Sequence, residues 1–320
     1  MEQAKRGRVL VTGAGGFIGR DLARRLAREG WQVRAATREP GTAARHGNIE
    51  PMRIGDLEGE VDWSPVVAGM THVVHLAGIA HATETIPEAT YRAVNADAVG
   101  ALAAAAVRAG CRRVVMMSSI RAQVGPTSPV VLDERSPSAP VDAYGRSKRD
   151  GERQLFAALD GSATTGVVLR PVVVYGPGVK GNMAALVRIA RLPMPLPIGG
   201  LVARRSLLGL ENLHAAVEHA LAADAVAGGT FLLADPGPLT VPRIVAAMRR
   251  ALGRRAMLPT LPLAPVRWLA SAAGKSAAWE RIAGDLVVTT SALEASGWLP
   301  RETAEEGIAR WIAAESRVSP

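Results

Sequence analysis

Three polar residues in the middle of the chain have the types and the spacing needed to move a proton at a carbonyl or hydroxyl group. Tyr144 and Lys148 lie four residues apart in a helical pattern, so their side chains project from one face. Ser119 ends a short apolar run upstream of them. We expect the Lys148 ammonium to bring the pKa of Tyr144 from about 10 toward neutrality, because a nearby cation favours the phenolate. Tyr144 would then exchange a proton with a ketone or an alcohol while Ser119 hydrogen-bonds the same oxygen. Taken singly, a surface tyrosine and a solvated lysine are the alternative interpretation.

A glycine-rich segment near the start of the chain predicts a nucleotide site. The apolar run Val9 to Val11 leads into Gly13, Gly16 and Gly19, and a helical pattern begins near Ile18. Gly13 permits a tight turn, Gly16 lets the backbone approach a pyrophosphate, and Gly19 allows the helix to pack closely on the strand. The N–H groups of the first helical turn would point at the anion. The alternative is a glycine-rich turn with no ligand.

The composition is typical of a globular protein with one large core or two fused cores. The chain has 320 residues, of which 48% are hydrophobic. Its net charge is +9, but the arginines are scattered through amphipathic helices, and no basic run is interleaved with aromatic residues. We therefore expect no nucleic-acid partner and a small anionic ligand instead. The six histidines show no metal-ligand spacing, so no metal site is predicted.

Cysteine usage and apolar segments predict a cellular location. A single cysteine, Cys111, precludes an internal disulfide and is typical of a reducing compartment, so we expect a cytoplasmic protein with Cys111 buried. No signal peptide or membrane-spanning run is recognisable. The apolar segment from Leu261 to Ala273 is interpreted as a helix of a substrate-binding lobe, with a membrane-surface helix as the alternative.

Short valine-rich runs alternate with helical patterns along the first half of the chain, which predicts βαβ units and a parallel sheet. The runs cover residues 8–12, 32–36, 72–76, 113–118 and 165–170, and the helical patterns lie near 18–29, 91–109 and 143–159. The predicted fold is α/β, a Rossmann-type doubly wound parallel sheet with a smaller C-terminal substrate-binding subdomain. Residues 1–175 and 205–235 would form the dinucleotide-binding domain, and residues 176–204 and 236–320 the subdomain.

Ligands of doubly wound sheets bind outside the carboxyl ends of the parallel strands. The candidate residues follow this rule, because each group comes after a predicted strand or, for Asp56, after the short apolar stretch from Met52 to Ile54. In chain order they are Gly13, Thr37 with Arg38, Asp56, Ala77 with Gly78, Ser119, and Pro171. We therefore expect one edge of the sheet to hold both the nucleotide and the proton-transfer residues.

The Gly-x-x-Gly-x-x-Gly spacing after Thr12, together with the Tyr-x-x-x-Lys pair and the upstream serine, resembles the extended short-chain dehydrogenases/reductases, the NAD-dependent epimerase/dehydratase family. The resemblance implies that Ser119, Tyr144 and Lys148 are catalytic. It also implies a homodimer that forms through the helices near 91–109 and 143–159. The cofactor site that it implies comprises Gly13, Gly16, Phe17, Ile18, Gly19, Thr37, Arg38, Asp56, Leu57, Leu76, Ala77, Gly78, Asn95, Tyr144, Lys148 and Pro171.

The end of the second strand favours NADP(H) over NAD(H). NAD-preferring members of the family carry an acidic residue there, which accepts hydrogen bonds from the ribose. Here the position is Thr37, followed by Arg38 and preceded by Arg34, so a 2′-phosphate would meet positive charge. The alternative is that Arg38 is an ordinary loop arginine offset by Glu39, in which case NAD(H) is the cofactor.

The second half of the chain resembles the nucleotide-sugar branch of the family. The resemblance is carried by Leu169-Arg170-Pro171, Val174-Tyr175-Gly176-Pro177-Gly178, Asn182 and Arg204-Arg205-Ser206-Leu207. It implies that the substrate-binding residues are Ile120, Arg121, Asn182 and Arg205. Within this branch the chain is most similar to bacterial UDP-4-keto-6-deoxy-N-acetylhexosamine reductases of surface-polysaccharide synthesis, which implies NADPH-dependent reduction of the C4 ketone.

Three other functions stay open. A UDP-sugar 4-epimerase holds NAD tightly and returns the hydride to the other face of the sugar. Reduction of a carbonyl compound that carries no nucleotide is the second alternative, and non-catalytic dinucleotide sensing is the third. Relatives with a sensing role commonly lose the tyrosine or the lysine, whereas this chain keeps Tyr144 and Lys148.

Overall fold

The computed structural model describes residues 6–39, 41, 47–80, 86–260 and 283–318. Its strands are β1 (Arg8–Thr12), β2 (Gln32–Thr37), β3 (Ile49–Arg53), β4 (His72–His75), β5 (Arg113–Met117), β6 (Thr165–Pro171), β7 (Val173–Tyr175), β8 (Arg204–Arg205), β9 (Leu207–Gly209), β10 (Thr230–Leu233) and β11 (Leu239–Thr240). Its α-helices are α1 (Phe17–Arg28), α2 (Ser64–Val67), α3 (Glu88–Arg92), α4 (Ala98–Arg108), α5 (Ala143–Leu159), α6 (Gly181–Ala190), α7 (Leu210–Ala222), α8 (Val241–Ala251), α9 (Ser291–Ala295) and α10 (Ala304–Val318). A π-helical turn (Ala93–Asp97) joins α3 to α4, and a 3₁₀ turn (Ile120–Ala122) follows β5.

A seven-stranded parallel sheet runs through the molecule in the order β10-β6-β5-β4-β1-β2-β3. Strand β1 pairs with β2 on one side and with β4 on the other, so the strand order changes direction beside β1. A crevice for ligands forms at such a point, outside the carboxyl ends of the strands. The predicted α/β fold with a doubly wound parallel sheet is confirmed.

Alternating side chains of β1 enter two separate hydrophobic cores, one on each face of the sheet. Val9 and Val11 pack in the core that contains Leu26 of α1. Leu10 packs in the other core, which contains Leu102 of α4. Strand β5 is buried at every position, which is why its sequence is a continuous apolar run after its first residue and not an alternating pattern.

A third hydrophobic core is built from the second half of the chain. Strand β7 pairs with β9, and β8 pairs with β11. Helices α6, α8 and α10 contribute buried residues such as Val187, Met248 and Trp311 to this core. Leu293 and Trp298, by contrast, pack in the core that contains Val9 and Val11 of the large sheet. Residues near the C-terminus therefore pack in two different cores. The domain boundaries given from the sequence remain a prediction.

The remaining predictions from composition and from the family resemblance have different outcomes. Cys111 is buried as expected, its thiol donates to the Met70 carbonyl at 3.3 Å, and burial raises its pKa. The segment from Leu261 to Ala273 lies outside the described residues. Every helix in the described ranges is too short or too polar to cross a membrane. The homodimer stays a prediction.

Helix α5 lies close to its neighbours because two of its residues are glycines. A Cβ atom on Gly145 would clash with the carbonyl oxygen of Arg121, and one on Gly151 would clash with the carbonyl oxygen of Asn95. Both neighbours are backbone atoms, which cannot rotate away as a side chain can. Contact with the backbone therefore sets the depth of the helix, whose buried residues include Tyr144 and Lys148.

We expect Gly151→Ala to lower the free energy of unfolding by about 1–3 kcal/mol, because the added methyl group would overlap a backbone carbonyl. The matched control is Gly100→Ala on α4, where the new Cβ would meet the side chain of Gln154, which can move. The control should change the free energy by no more than about 1 kcal/mol, since alanine also has the better helix propensity. Urea unfolding of both variants measures the difference, and equal losses would contradict the assignment.

Candidate active site

A cleft of about 520 Å³ opens at the carboxyl ends of β1, β2, β3 and β4. It is lined by these residues of the predicted cofactor site: Gly13, Gly16, Thr37, Arg38, Asp56, Leu57, Leu76, Ala77 and Gly78. The sequence analysis misses its other lining residues, which are Gly15, Glu39, Ile54, Glu58, Ile79 and Val94. All of these except Ile54 adjoin a predicted residue in the chain, so widening each predicted group by one residue would have found them, and Ile54 directly follows β3.

The glycine loop brings β1, α1 and β4 into backbone contact. Gly13 has a φ of +68°, and a Cβ atom there would lie 2.8 Å from the Ala77 amide nitrogen. A Cβ atom on Gly19 would clash with the Gly13 carbonyl oxygen, which accepts from the Gly16 N–H at 2.9 Å. Helix α1 begins at Phe17, and the N-cap residue Gly16 provides no side-chain cap. The first N–H groups of α1 can therefore bind an anion in the cleft.

Thr12 and His75 hold the ends of β1 and β4 side by side. Thr12 Oγ1 accepts from the Ala77 N–H at 3.2 Å and lies 2.8 Å from His75 Nδ1. Burial and the charge of Lys148 lower the pKa of His75 to about 3. His75 is therefore neutral, and its Nε2 has no hydrogen-bond partner in the described part of the chain.

The end of β2 presents one positive and one negative side chain to the cleft, those of Arg38 and Glu39. Thr37 is buried there, whereas Arg38 and Glu39 are exposed. The expectation that Arg34 adds positive charge at this end is wrong. Its guanidinium is buried beside α2, where it donates to the Glu50 carboxylate and to three backbone carbonyls. These bonds hold Arg34 outside the cleft.

Ser119 and Tyr144 are hydrogen-bonded to each other through their hydroxyl groups. Ser119 is the N-cap of the 3₁₀ turn after β5, and its Oγ accepts from the Arg121 N–H at 3.1 Å. Tyr144 lies in the first turn of α5, whose N-cap is Asp142. Two residues that are distant in the chain thus present adjacent hydroxyl groups, which can bind one substrate oxygen.

Lys148 lies one turn further along the buried face of α5. Its Nζ donates to the Met117 carbonyl at 3.1 Å. A Cβ atom on Gly78 would lie 3.3 Å from this nitrogen, so Lys148 borders the cleft where Gly78 lines it. Lys148 therefore lies at the Gly78 end of the cleft, and Tyr144 and Ser119 lie beside it without being among the residues that line the cleft.

The electrostatics of these residues differ from the expectation. Burial raises the pKa of Tyr144, and the hydrogen bond with Ser119 and the charge of Arg121 only partly oppose this effect. Burial also lowers the pKa of Lys148 to about 8, against the opposing charge of Glu152. The expected lowering of the Tyr144 pKa toward neutrality is therefore wrong for the protein alone, because lost hydration outweighs the nearby positive charge.

Asn95 connects the rim of the cleft to α5. Its amide accepts from the Ile79 N–H at 2.9 Å and donates to the Ile79 carbonyl at 3.0 Å. Its Nδ2 also donates to Ser147 Oγ, which in turn donates to the Tyr144 carbonyl at 2.8 Å. Asn95 lies in the π-helical turn, an element that is frequent at functional sites. It is fully engaged with protein groups and contributes to the site by fixing its walls.

A buried ionic network forms around Glu152, on the same buried face of α5 as Tyr144 and Lys148. Arg170 donates from Nε and Nη2 to the Glu152 carboxylate at 2.8 and 2.6 Å. Ser118 Oγ donates to the same carboxylate at 2.5 Å, and Arg170 Nη1 donates to Gln123 Oε1 at 3.0 Å. All four side chains are buried. The sequence analysis misses Glu152, although its position one turn after Lys148 is a signal that it shares the buried face.

The predicted substrate residues lie in different environments. Ile120 is buried, and Arg121 donates from Nη2 to Asp142 Oδ2 at 2.5 Å. Asn182 is exposed at the start of α6. Arg205 is partly buried; its Nη1 donates to the Pro126 carbonyl at 2.7 Å, and its Nη2 is buried without a partner among the described residues. Burial lowers the pKa of Arg205, against the opposing charge of Asp285.

The remaining predicted cofactor residues lie outside the lining of the cleft. Phe17, Ile18 and Gly19 form the first turn of α1 behind the glycine loop. Pro171 is buried at the end of β6, where it pairs with Leu233 of β10. These residues shape the elements around the cleft. Among the described residues there is no group of three or more His, Cys, Asp or Glu side chains that could hold a metal ion.

Comparison with known proteins gives consistent matches over most of the chain. The model of the NAD dependent epimerase/dehydratase family matches residues 9–234. The UDP-glucose 4-epimerase of Vibrio cholerae is 31% identical over 306 residues, which cover 93% of this chain and 92% of the relative. The ceramide reductase of Caulobacter vibrioides is 32% identical over 208 residues, which cover 65% of this chain and 58% of the relative. The solved structure of MoeE5 in complex with UDP-glucose and NAD is 25% identical, with a TM-score of 0.74, and the match covers 98% of this chain and 100% of that one.

We expect Lys148 to titrate near pH 8, below the value of 10.5 that is ordinary for an ammonium group, because it is buried. The chain has only four lysines, so NMR of protein labelled with ¹³C at lysine Cε can follow each of them. Lys148→Arg assigns the signal by removing it. A Lys148 signal that titrates above about pH 10 would show that the ammonium is hydrated and would contradict the buried site.

Proposed function

This chain belongs to the NAD-dependent epimerase/dehydratase family, and from this premise we propose that it inverts the configuration at C4 of the sugar in a UDP-hexose. The hydrogen-bonded pair of Ser119 and Tyr144, one helical turn from Lys148, carries the proposal, because C4 epimerisation needs a group that exchanges a proton with the C4 oxygen. The similarity to a UDP-glucose 4-epimerase over nearly the whole chain supports this class of substrate.

The cleft fits a nicotinamide dinucleotide in its shape and its hydrogen-bond donors. The glycine loop and the uncapped start of α1 would bind the pyrophosphate. Asp56 and Leu57 would border the adenine, and Arg38 with Glu39 would border the ribose next to it. When bound, the nicotinamide would take a hydride from C4 and return it to the opposite face of the sugar.

Each proton-transfer residue would have a distinct role. Tyr144 would accept the proton of the C4 hydroxyl group as the sugar is oxidised and return it to the same oxygen afterwards. Ser119 would hold that oxygen by a hydrogen bond beside the Tyr144 hydroxyl. Lys148 uses one N–H on Met117, so its other N–H groups beside Gly78 can donate to a bound ribose.

Arg205 and Asn182 would contact the nucleotide diphosphate of the substrate. The support for Arg205 is its buried Nη2, which has no partner among the described residues and is a strong donor to a phosphate oxygen. Asn182 is exposed at the start of α6, where its amide is accessible to a ligand. We retain both as proposed substrate residues together with Ile120.

A second candidate is NADPH-dependent reduction of the C4 ketone of a UDP-4-keto-6-deoxy-N-acetylhexosamine in surface-polysaccharide synthesis. Thr37 and Arg38 favour it, because no carboxylate ends β2 and a guanidinium beside it suits a 2′-phosphate. The two candidates differ in how the cofactor behaves. An epimerase regenerates its cofactor in each cycle and can retain it, whereas a reductase must exchange it after every turnover.

We expect the purified protein to convert UDP-glucose or UDP-N-acetylglucosamine into the C4 epimer without a net change in nicotinamide absorbance.

Tyr144→Phe should lower turnover about 10²–10⁴-fold and leave dinucleotide binding intact, because only the proton-transfer group is lost. Product analysis by NMR and extraction of the bound cofactor measure both properties. Oxidation of NADPH with a UDP-4-keto sugar, without epimer formation, would instead support the reductase. Undiminished turnover by Tyr144→Phe would refute the assignment of this residue.

We expect Arg38→Ala to weaken NADPH binding about tenfold and to leave NADH binding nearly unchanged, since only NADPH carries the phosphate that a guanidinium at this position would contact. The control is Arg108→Ala, which removes an exposed arginine at the end of α4. It should change neither affinity. Fluorescence titration of cofactor-free protein measures both, and equal effects on the two dinucleotides would contradict the placement of the ribose.

A further inference from the structure

We infer that Arg121 is a positioning residue for the proton transfer, whose guanidinium, held by Asp142, supplies positive charge that favours the Tyr144 phenolate. The inference deepens the proposed function and rests on it, since it takes Tyr144 as the group that exchanges the proton. It gives Arg121 a role different from the substrate contact that the sequence resemblance implies.

Arg121 and Tyr144 share one hydrogen-bonding partner. Ser119 Oγ accepts from the backbone N–H of Arg121 at 3.1 Å and is also hydrogen-bonded to the Tyr144 hydroxyl. The carbonyl oxygen of Arg121 packs against Gly145, the residue after Tyr144, so closely that no Cβ atom fits between them. The backbone of Arg121 is therefore fixed against the first turn of α5, beside the phenol.

Asp142 fixes the other end of the Arg121 side chain. Its Oδ2 accepts from Arg121 Nη2 at 2.5 Å, and its Oδ1 accepts from the Gly145 N–H at 2.8 Å as the N-cap of α5. One carboxylate therefore joins the guanidinium to the helix that carries Tyr144. Only 16% of the Arg121 side chain is exposed, so its charge acts through a medium that screens it poorly.

Several groups face the Tyr144 hydroxyl from the elements packed against α5. The 3₁₀ turn contributes Ser119 and Arg121, and α3 contributes Tyr91, whose ring centroid lies 6.1 Å from that of Tyr144. Asp142 and Lys148 flank Tyr144 along its own segment. Burial raises the pKa of Tyr144; the hydrogen bond with Ser119 lowers it, the charge of Arg121 lowers it next, and the smaller effects of Asp142 and Tyr91 raise it. Arg121 is therefore the charge that counters burial, and Asp142 limits its effect.

The ion pair also explains why substrate contact is the weaker role for Arg121. A substrate phosphate would have to share this guanidinium with the carboxylate that already holds its Nη2. Arg121 Nε and Arg205 Nη2 are both buried N–H groups without a partner in the described ranges, but the Arg121 side chain is paired with a carboxylate, whereas Arg205 donates to a backbone carbonyl. The two arginines thus divide between charge stabilisation at Tyr144 and binding of the diphosphate.

Ultraviolet titration of tyrosine ionisation tests the inference without cofactor or substrate. The chain has only three tyrosines, and the difference between the protein and Tyr144→Phe isolates Tyr144. Rapid pH jumps keep the protein folded during the measurement. Arg121→Met should raise the midpoint of Tyr144 by about one pH unit or more, and Arg121→Lys should raise it by less than half as much. Asp142→Asn keeps a good N-cap and should lower the midpoint, because it removes the opposing negative charge.

Shifts of opposite sign separate an electrostatic role from a structural one, since damage to the turn would not lower the midpoint in one variant and raise it in the other. An unchanged midpoint in Arg121→Met, or a rise in Asp142→Asn, would overturn the inference. If Arg121→Met does not fold, as judged by circular dichroism, Arg121→Lys and Asp142→Asn still decide the question through the sign and size of their shifts.

The pH profile of turnover then distinguishes failure of this inference from failure of the proposed function. Arg121→Met should move the acid limb of the profile upward by the same amount as the spectroscopic midpoint, because the phenolate accepts the proton. If the ionisation midpoint of Tyr144 shifts but the pH profile of turnover does not, Tyr144 does not exchange the proton. That result would remove the premise taken from the proposed function and overturn the role given to Arg121 in catalysis. An unmoved spectrum in an active enzyme would leave the proposed function in place and overturn only the inference.

Discussion

Helix α5 carries Tyr144, Lys148 and Glu152 on its buried face, and two backbone contacts determine how deep it lies. Gly145 meets the 3₁₀ turn after β5, and Gly151 meets the π-helical turn before α4. A side chain at either position would move the helix outward and separate Tyr144 from Ser119. The hydrogen bond between these two hydroxyls therefore depends on glycines that have no chemistry of their own.

Placing α5 at this depth buries several polar groups, and each has a compensating partner. The Glu152 carboxylate is neutralised by Arg170 and hydrogen-bonded by Ser118, while Gln123 holds the far side of Arg170. Such a pair is costly to break, because loss of one partner leaves a buried charge. The same burial lowers the pKa of Lys148 to about 8. The site is thus a dry environment in which a single nearby charge has a large effect on proton transfer.

The cleft on the other side of Lys148 follows from the strand order. Because β1 pairs with both β2 and β4, the helices that leave these strands diverge and open a space at their carboxyl ends. Gly13 and Ala77 approach each other across this point, and Thr12 with His75 holds the strand ends together. Helix α5 reaches this cleft where Gly78 lies beside Lys148. Epimerisation and reduction are both compatible with this arrangement, since they differ in cofactor exchange and not in the proton-transfer residues.

The sequence by itself determined the parallel sheet, because valine-rich runs and helical periods are local patterns that survive in the fold. It also identified the strand ends that line the cleft, since the glycine loop and the residues after β2, β3 and β4 stand at fixed places in the chain. Only the tertiary structure decided where the long charged side chains point. Arg34 turns to Glu50 and α2, and Arg121 turns to Asp142, because a flexible side chain binds whichever carboxylate or carbonyl packing brings near. Only the tertiary structure also decided that the pKa of Tyr144 is raised, because burial and neighbouring charges act through space. Residues that are neighbours in space are not recognisable as such in the sequence.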